Sequence, residues 1–158
     1  CFECHDPHSS DNDGLLNLSA HAPVAGGECE YTRYGFRPWI ERRAVDILQP
    51  DLCATGGFTE MQKIVAMASA AHLPVIPHVW GTNVGLAACL QFYAALPNFP
   101  ERRFPAEPFF EYDRSAHPLR EGVTHEQFAM QDGYLPIPDR PGLGITLDME
   151  FIEQHRVA

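Results

Sequence analysis

The sequence predicts an α/β fold, specifically the C-terminal part of a parallel (β/α) TIM-type barrel. Three observations carry this reading. From about residue 20 onward, short apolar runs alternate with stretches of helical period, as in βα units that feed a parallel sheet. Each of the first three runs is followed at once by a polar residue able to do chemistry: Glu28, Asp51 and His78. The chain has 158 residues, enough for one domain with a real core, whereas a complete eight-stranded barrel takes about 250. It opens on Cys1 rather than Met, so the N-terminus is read as a cut end.

The elements follow in order. Ala22–Ala25 is a short strand ending in Gly26, Gly27 and Glu28. A helix over Thr32–Arg43 places Phe36, Trp39 and Ile40 on one face. Ala44–Leu48 is the next strand, stopped by Pro50 and leading to Asp51. Gly56 and Gly57 open a second helix, Phe58–His72, whose Met61, Ile64, Val65, Ala68 and Ala71 recur at helical spacing. That face is buried, and Lys63 points to water. Pro74–Pro77 is a third strand ending at His78, and Asn83–Leu96 is a strongly apolar third helix. Phe109–Glu111 is a candidate fourth strand. Such strands are apolar throughout because both faces of a parallel sheet are covered. The remainder, with Tyr134–Pro138, the loop Asp139–Gly144 and a terminal helix within Asp148–Gln154, is a separate excursion. The organisation is therefore an irregular segment 1–19, a partial barrel over 20–118, and a C-terminal excursion over 119–158.

Hydrophobic residues make up 45% and charged residues 20%, ordinary values for a globular domain. A net charge of −10, with Lys63 the only lysine and the arginines scattered, excludes a basic nucleic-acid face. No apolar run approaches the roughly 20 residues of a membrane span, and no signal peptide opens the chain. Five cysteines are an odd number; Cys29, Cys53 and Cys89 stand alone in apolar or turn segments and read as reduced thiols of a cytoplasmic protein.

The strand-end residues carry the chemistry. In a parallel barrel all strand C-termini open on one face, and that face holds the active site. Glu28 to Asp51 spans 23 residues and Asp51 to His78 spans 27, one βα unit each, so the three are neighbours in space. A histidine held by a carboxylate is fixed in tautomer and suits a general base. A further carboxylate suits Mg2+, a hard cation that takes oxygen ligands. Taken singly, Glu28 and Asp51 are equally at home as helix caps or loop acceptors, and His78 as a structural histidine.

The stretches Pro23–Glu28 (PVAGGE), Asp46–Asp51 (DILQPD), Gly56 with Gly57, and Pro77 with His78 resemble the mandelate racemase branch of the enolase superfamily. Phe110–Asp113 (FEYD), Asp132–Tyr134 (DGY) and Pro138–Gly144 (PDRPGLG) resemble the end of its acid-sugar dehydratases. The resemblance implies about strands four to eight of the barrel, with a C-terminal segment that packs on a capping domain. It implies that Glu28 is a Mg2+ ligand after the fifth strand and that Asp51 and His78 are the dyad of strands six and seven. Glu111, with Glu107 as the competing choice, would be the eighth-strand acid that hydrogen-bonds the substrate carboxylate or enediolate. Trp80, Thr82 and Asn83 would border the sugar pocket, and Glu3 would be a second metal ligand. The implied activity is a Mg2+-dependent sugar-acid dehydratase: proton abstraction alpha to a carboxylate, an enediolate, and loss of water to a 2-keto-3-deoxy acid. A racemase or epimerase shares the enediolate and differs by a second base. The parent protein is expected to be a homo-oligomer acting on a small molecule.

The N-terminus departs from the pattern. Cys1–Pro7 (CFECHDP) stands where the family has a strand-four metal motif, and it is read as a sequence error, frameshift or junction. Cys1, Cys4 and His5 also match the C-x-x-C-H pattern of c-type haem attachment, and Cys4, His5 and His8 could hold zinc. Neither rival extends into the rest of the chain. Without the upstream metal ligands, the 158 residues are expected to be inactive alone, or a non-catalytic remnant.

Overall fold

The computed structural model describes residues 23–96 and 109–157. Glu3, Glu107 and the Cys1–His8 donors lie outside them.

β1 (Ala25–Gly26) pairs in parallel with β2 (Ile47–Leu48), Ala25 opposite Ile47 and Gly26 opposite Leu48. Leu48 also bridges to Val75 and Asp51 to His78, again in parallel. Both bridges carry the same residue offset, so segment 75–78 lies along the far side of β2 without a slip in register. The backbone agrees: Gln49 donates to Gly26 O at 2.8 Å, while Leu48 donates to Pro74 O and Ile76 to Leu48 O, each at 3.0 Å. The expected three-strand parallel order is present, with its regular pairing shorter than the apolar runs.

Three helices cover this sheet: α1 (Thr32–Glu41), α2 (Gly57–Ala70) and α3 (Asn83–Ala94). Phe36 and Ile40 of α1 meet Met61, Ile64, Val65 and Ala68 of α2 in one buried cluster with Leu48, Val75, Cys89 and Phe92. The expected ends at Arg43 and His72 lie beyond the observed helices because both residues take positive φ, 47° and 56°. A left-handed residue breaks the helical path, and after α2 the Leu73 N–H returns to Ala68 O at 2.9 Å, a closure that satisfies a terminal carbonyl. Glu60 ties α1 to α2: it accepts from the Arg33 backbone N–H at 3.2 Å and pairs with the Arg33 guanidinium and, at 2.8 Å, with Lys63. No helix among the described residues is long and apolar enough to cross a membrane.

The candidate strand Phe109–Glu111 makes no ladder among the described residues. Pro108, immediately before it, has no N–H to give to one. Side chains hold the segment instead: Phe110 packs on the core and meets Tyr93, ring centroids 5.7 Å apart.

The excursion contains α4 (Pro118–Gly122), unforeseen in the sequence, and α5 (Met149–Gln154). His117 Nδ1 caps α4 by accepting from Arg120 N–H at 2.9 Å, and Asp148 caps α5 by accepting from Phe151 N–H at 2.9 Å. The two helices touch at Gly122, where any Cβ would run into the Phe151 ring. Gln131 and Tyr134 exchange both backbone bonds at 2.8 Å across Asp132 and Gly133, whose φ values are 49° and 87°. Asp-Gly is the preferred pair for such a two-residue turn.

Glu126 staples the excursion. It accepts from Thr146 N–H at 2.6 Å and from the Thr146 hydroxyl at 3.1 Å, and it pairs with Arg140. The Thr146 N–H, helped by Arg140, holds the Glu126 carboxyl down from the ordinary 4.5 to about 2. A depressed carboxylate contributes stability that is present above its unfolded value and lost as pH falls through its folded one. The excursion is therefore expected to stay intact at pH 5 and to loosen between the ordinary 4.5 and about 2. The Thr146 amide resonance reads this directly; one that does not move across the acid range counts against the staple.

Candidate active site

Glu28, Asp51 and His78 meet at the C-terminal ends of the three parallel segments. The loop that carries Glu28 leaves β1 through Gly27, whose φ of 117° is a glycine conformation. A Cβ there would lie 2.7 Å from the Phe36 ring. Close approach to the core and an unusual backbone angle both require glycine at this position.

Asp51 uses its two oxygens differently. Oδ1 accepts from Cys53 N–H at 2.7 Å and Ala54 N–H at 3.2 Å, building the turn into α2, while Oδ2 lies 3.0 Å from His78 Nδ1. The contacts of a loop acceptor and the contact expected of a dyad are thus made by different oxygens of Asp51. The side chain is nearly buried, and its backbone pairs with His78 across the bridge, so the carboxylate is fixed from several directions. His78 N–H donates to Pro50 O at 3.1 Å. With Nδ1 against the Asp51 carboxylate, Nδ1 is the ring nitrogen that donates to Asp51, and Nε2 is turned toward the open strand ends. His78 Nε2 lies 3.2 Å from Glu28 Oε2, and Glu28 is largely exposed. The strand-end groups form a line: Asp51, His78, Glu28.

Glu111 reaches the same end of the sheet. Its Oε2 accepts from Gln49 Nε2 at 2.9 Å. Trp80 and Thr82 are exposed on the loop after His78, and Thr82 is the N-cap residue of α3 without a side-chain cap bond. Asn83 points elsewhere. It is buried, and its Nδ2 donates to Thr124 Oγ1 at 3.0 Å and to Glu126 O at 3.4 Å. It borders a polar cavity of about 280 Å³ together with Tyr112, Asp113, Arg120 and Gln127. Sequence reasoning passed over Gln49 and Gly27; their signal was their place beside Asp51 and Glu28 in the two motifs.

The donor set fits one position of a Mg2+ sphere and no more. Mg2+ takes an octahedron of oxygens, commonly one or two carboxylates and several waters. Glu28 offers such an oxygen, but among the described residues no three His, Cys, Asp or Glu side chains cluster to hold a metal.

Parallel βα units with acid and imidazole groups at the strand ends define a barrel-type enzyme site. Residues 4–151 match the family model described as enolase C-terminal domain-like, and the chain belongs to that family. It is 47% identical over 151 residues to D-galactarolactone cycloisomerase of Agrobacterium fabrum, covering 96% of this chain and 40% of that protein. It is 35% identical over 151 residues to D-xylonate dehydratase of Haloferax volcanii, 96% of this chain and 35% of that protein. The solved 3,6-anhydro-D-galactonate cycloisomerase from Zobellia galactanivorans superposes with a TM-score of 0.73 at 39% identity, over 84% of this chain and 35% of its own. The enolase-superfamily resemblance and the α/β barrel class are borne out. The chain spans no more than 40% of the length of these relatives.

Proposed function

We propose that this chain forms the Asp–His side of an enolase-superfamily active site that works on a sugar acid or its lactone. The observation that carries the reading is the Asp51–His78 pair, 3.0 Å apart on adjacent parallel segments. His78 Nε2 takes the proton from the carbon alpha to the substrate carboxylate. The C–H electron pair passes into the carboxylate to give an enediolate, and as the enediolate collapses that pair forms the Cα–Cβ double bond while the bond from the β-carbon to oxygen breaks. In a dehydratase that oxygen leaves as water, having taken up a proton, and the enol tautomerises to a 2-keto-3-deoxy acid. Glu111 hydrogen-bonds the substrate carboxylate, and Trp80 and Thr82 belong to the wall of the sugar site, from which the buried Asn83 amide is turned away.

Glu28, with Glu3, supplies oxygen ligands to a Mg2+ whose remaining ligands are not among the described residues. When bound, that cation supplies positive charge beside the developing enediolate. The excursion, with Leu119, Ile137, Leu147 and Met149 exposed, is the surface that packs on a capping domain. The free thiols Cys29, Cys53 and Cys89 suit a reducing, cytoplasmic setting.

A cycloisomerase is the second reading, favoured by the 47% identity to D-galactarolactone cycloisomerase. There the departing β-oxygen belongs to the ring, so it stays in the molecule and no water is lost. Product mass separates the two: a dehydratase product is lighter by one water, and a cycloisomerase product has the mass of its substrate.

The test is a chimera in which this chain replaces the matching segment of the Agrobacterium cycloisomerase. The chimera is expected to turn over sugar-acid lactone and to exchange the alpha proton in D2O. His78→Asn is expected to lower both by about 10^2–10^4-fold, and retention of both within a few-fold would falsify the reading. The chain without a partner segment is expected to show no turnover.

A further inference from the structure

Gln49 stands two residues before Asp51 on the same extended segment, so the two side chains leave the strand on the same side. Its backbone N–H is taken by Gly26 O at 2.8 Å, which locks it beside the strand that delivers Glu28. Its side chain crosses to Glu111, Nε2 to Oε2 at 2.9 Å, over 62 residues of sequence. Between Gln49 and Glu111 in the chain lies segment 75–78, which flanks β2. A side-chain bond from β2 to the segment after the next one is the relation expected at the strand ends of a parallel barrel, where side chains of alternate strands share a layer.

We propose that Gln49 is a positioning residue that presents Glu111 to the substrate carboxylate, a role that rests on the function proposed above. An amide N–H on Oε2 makes that oxygen an acceptor, which leaves Oε1 to face the substrate. A carboxyl that donates to the substrate must then carry its proton on Oε1. Gln49 has no contact of its own with the reacting carbon. It sets the rotation of the acid and selects the oxygen that works. Because Glu111 makes no sheet ladder among the described residues, the Gln49 amide is its tether to the strand ends there.

Two measurements test this. In the full chain, Glu111→Gln is expected to shift the Gln49 side-chain amide resonances; unchanged resonances remove the contact and with it the proposal. In the chimera, Gln49→Leu is expected to lower kcat/KM about two- to tenfold, the range for a hydrogen bond between uncharged groups. Gln49→Glu, nearly the same shape without the donor, serves if the leucine variant does not fold. The decisive reading is the double-mutant cycle. Gln49→Leu is expected to cost nothing further once Glu111→Ala, which removes the acceptor, is in place, whereas a merely structural Gln49 gives additive losses and overturns the proposal. Failure of the general reading looks different: His78→Asn then leaves the chimera active while the Gln49 and Glu111 variants still couple. A chimera inert without substitution removes both readings, leaving Gln49 a structural bond.

Discussion

Asp51→Asn in the chimera is expected to leave the fold standing and to lower turnover by about 10^3–10^4-fold, the scale seen when a triad aspartate becomes asparagine. The two oxygens of Asp51 have separate tasks, and the substitution divides them. Asparagine keeps a carbonyl oxygen for the Cys53 and Ala54 N–H groups, now held at 2.7 and 3.2 Å. The turn into α2 is preserved. At the Oδ2 position, 3.0 Å from His78 Nδ1, asparagine presents an amide that donates. Nδ1 must then accept, the ring proton moves to Nε2, and the nitrogen facing the substrate has no lone pair for a proton. Nitrogen-15 shifts of the imidazole in the chain report the tautomer, and substrate turnover in the chimera reports the consequence. Asp51→Ala tests the other task. It strips the acceptor from two backbone donors in a nearly buried turn, at about 1–3 kcal/mol per unsatisfied group, so it is expected to lose stability as well as activity. Should Asp51→Asn turn over within tenfold of the parent, His78 is not tuned by Asp51 and the dyad has no chemical meaning.

The adjacency of Glu28, Asp51 and His78 was legible because it follows from a local rule: one βα unit separates neighbouring strand ends. The helices were legible for the same reason, since Met61, Ile64, Val65 and Ala68 repeat at the period that buries one face. What escaped depends on contacts that local pattern does not encode. Asn83 opens α3 at the expected place, yet its amide is claimed by Thr124, 41 residues away. Gln49 reads as an ordinary polar residue between Leu48 and Pro50 until Glu111 arrives beside it. The Asp132–Gly133 turn was in reach, because Asp-Gly is a strong hairpin signal, but those residues were read only as part of a family motif. Strand extent misled in a different way. Apolar runs such as Ala44–Leu48 report burial, whereas pairing also needs a neighbour's backbone in register, and the apolar Phe109 and Phe110 have none among the described residues although Phe110 packs on the core.

Phe36→Ala is expected to cost about 3–5 kcal/mol, as for other fully buried aromatic truncations. Set against the 5–15 kcal/mol that typically holds a domain together, this is a large fraction. Phe36 is fully buried and belongs to the cluster that joins α1, α2 and the sheet. It also floors the loop of Glu28, because its ring is what a Cβ at Gly27 would strike at 2.7 Å. Core and site are thus linked through one contact, and a pair of substitutions separates the parts. In the parent background, Gly27→Ala combines that clash with the strain of a φ of 117°. In the Phe36→Ala background the cavity accepts the new methyl, and only the backbone strain remains, about 1–3 kcal/mol. Denaturant melts of the four chains are therefore expected to be non-additive, with Gly27→Ala milder once the ring is gone. Additive losses would mean that Phe36 does not support the Glu28 loop, and that the strand-end carboxylate is positioned by the β1 backbone alone.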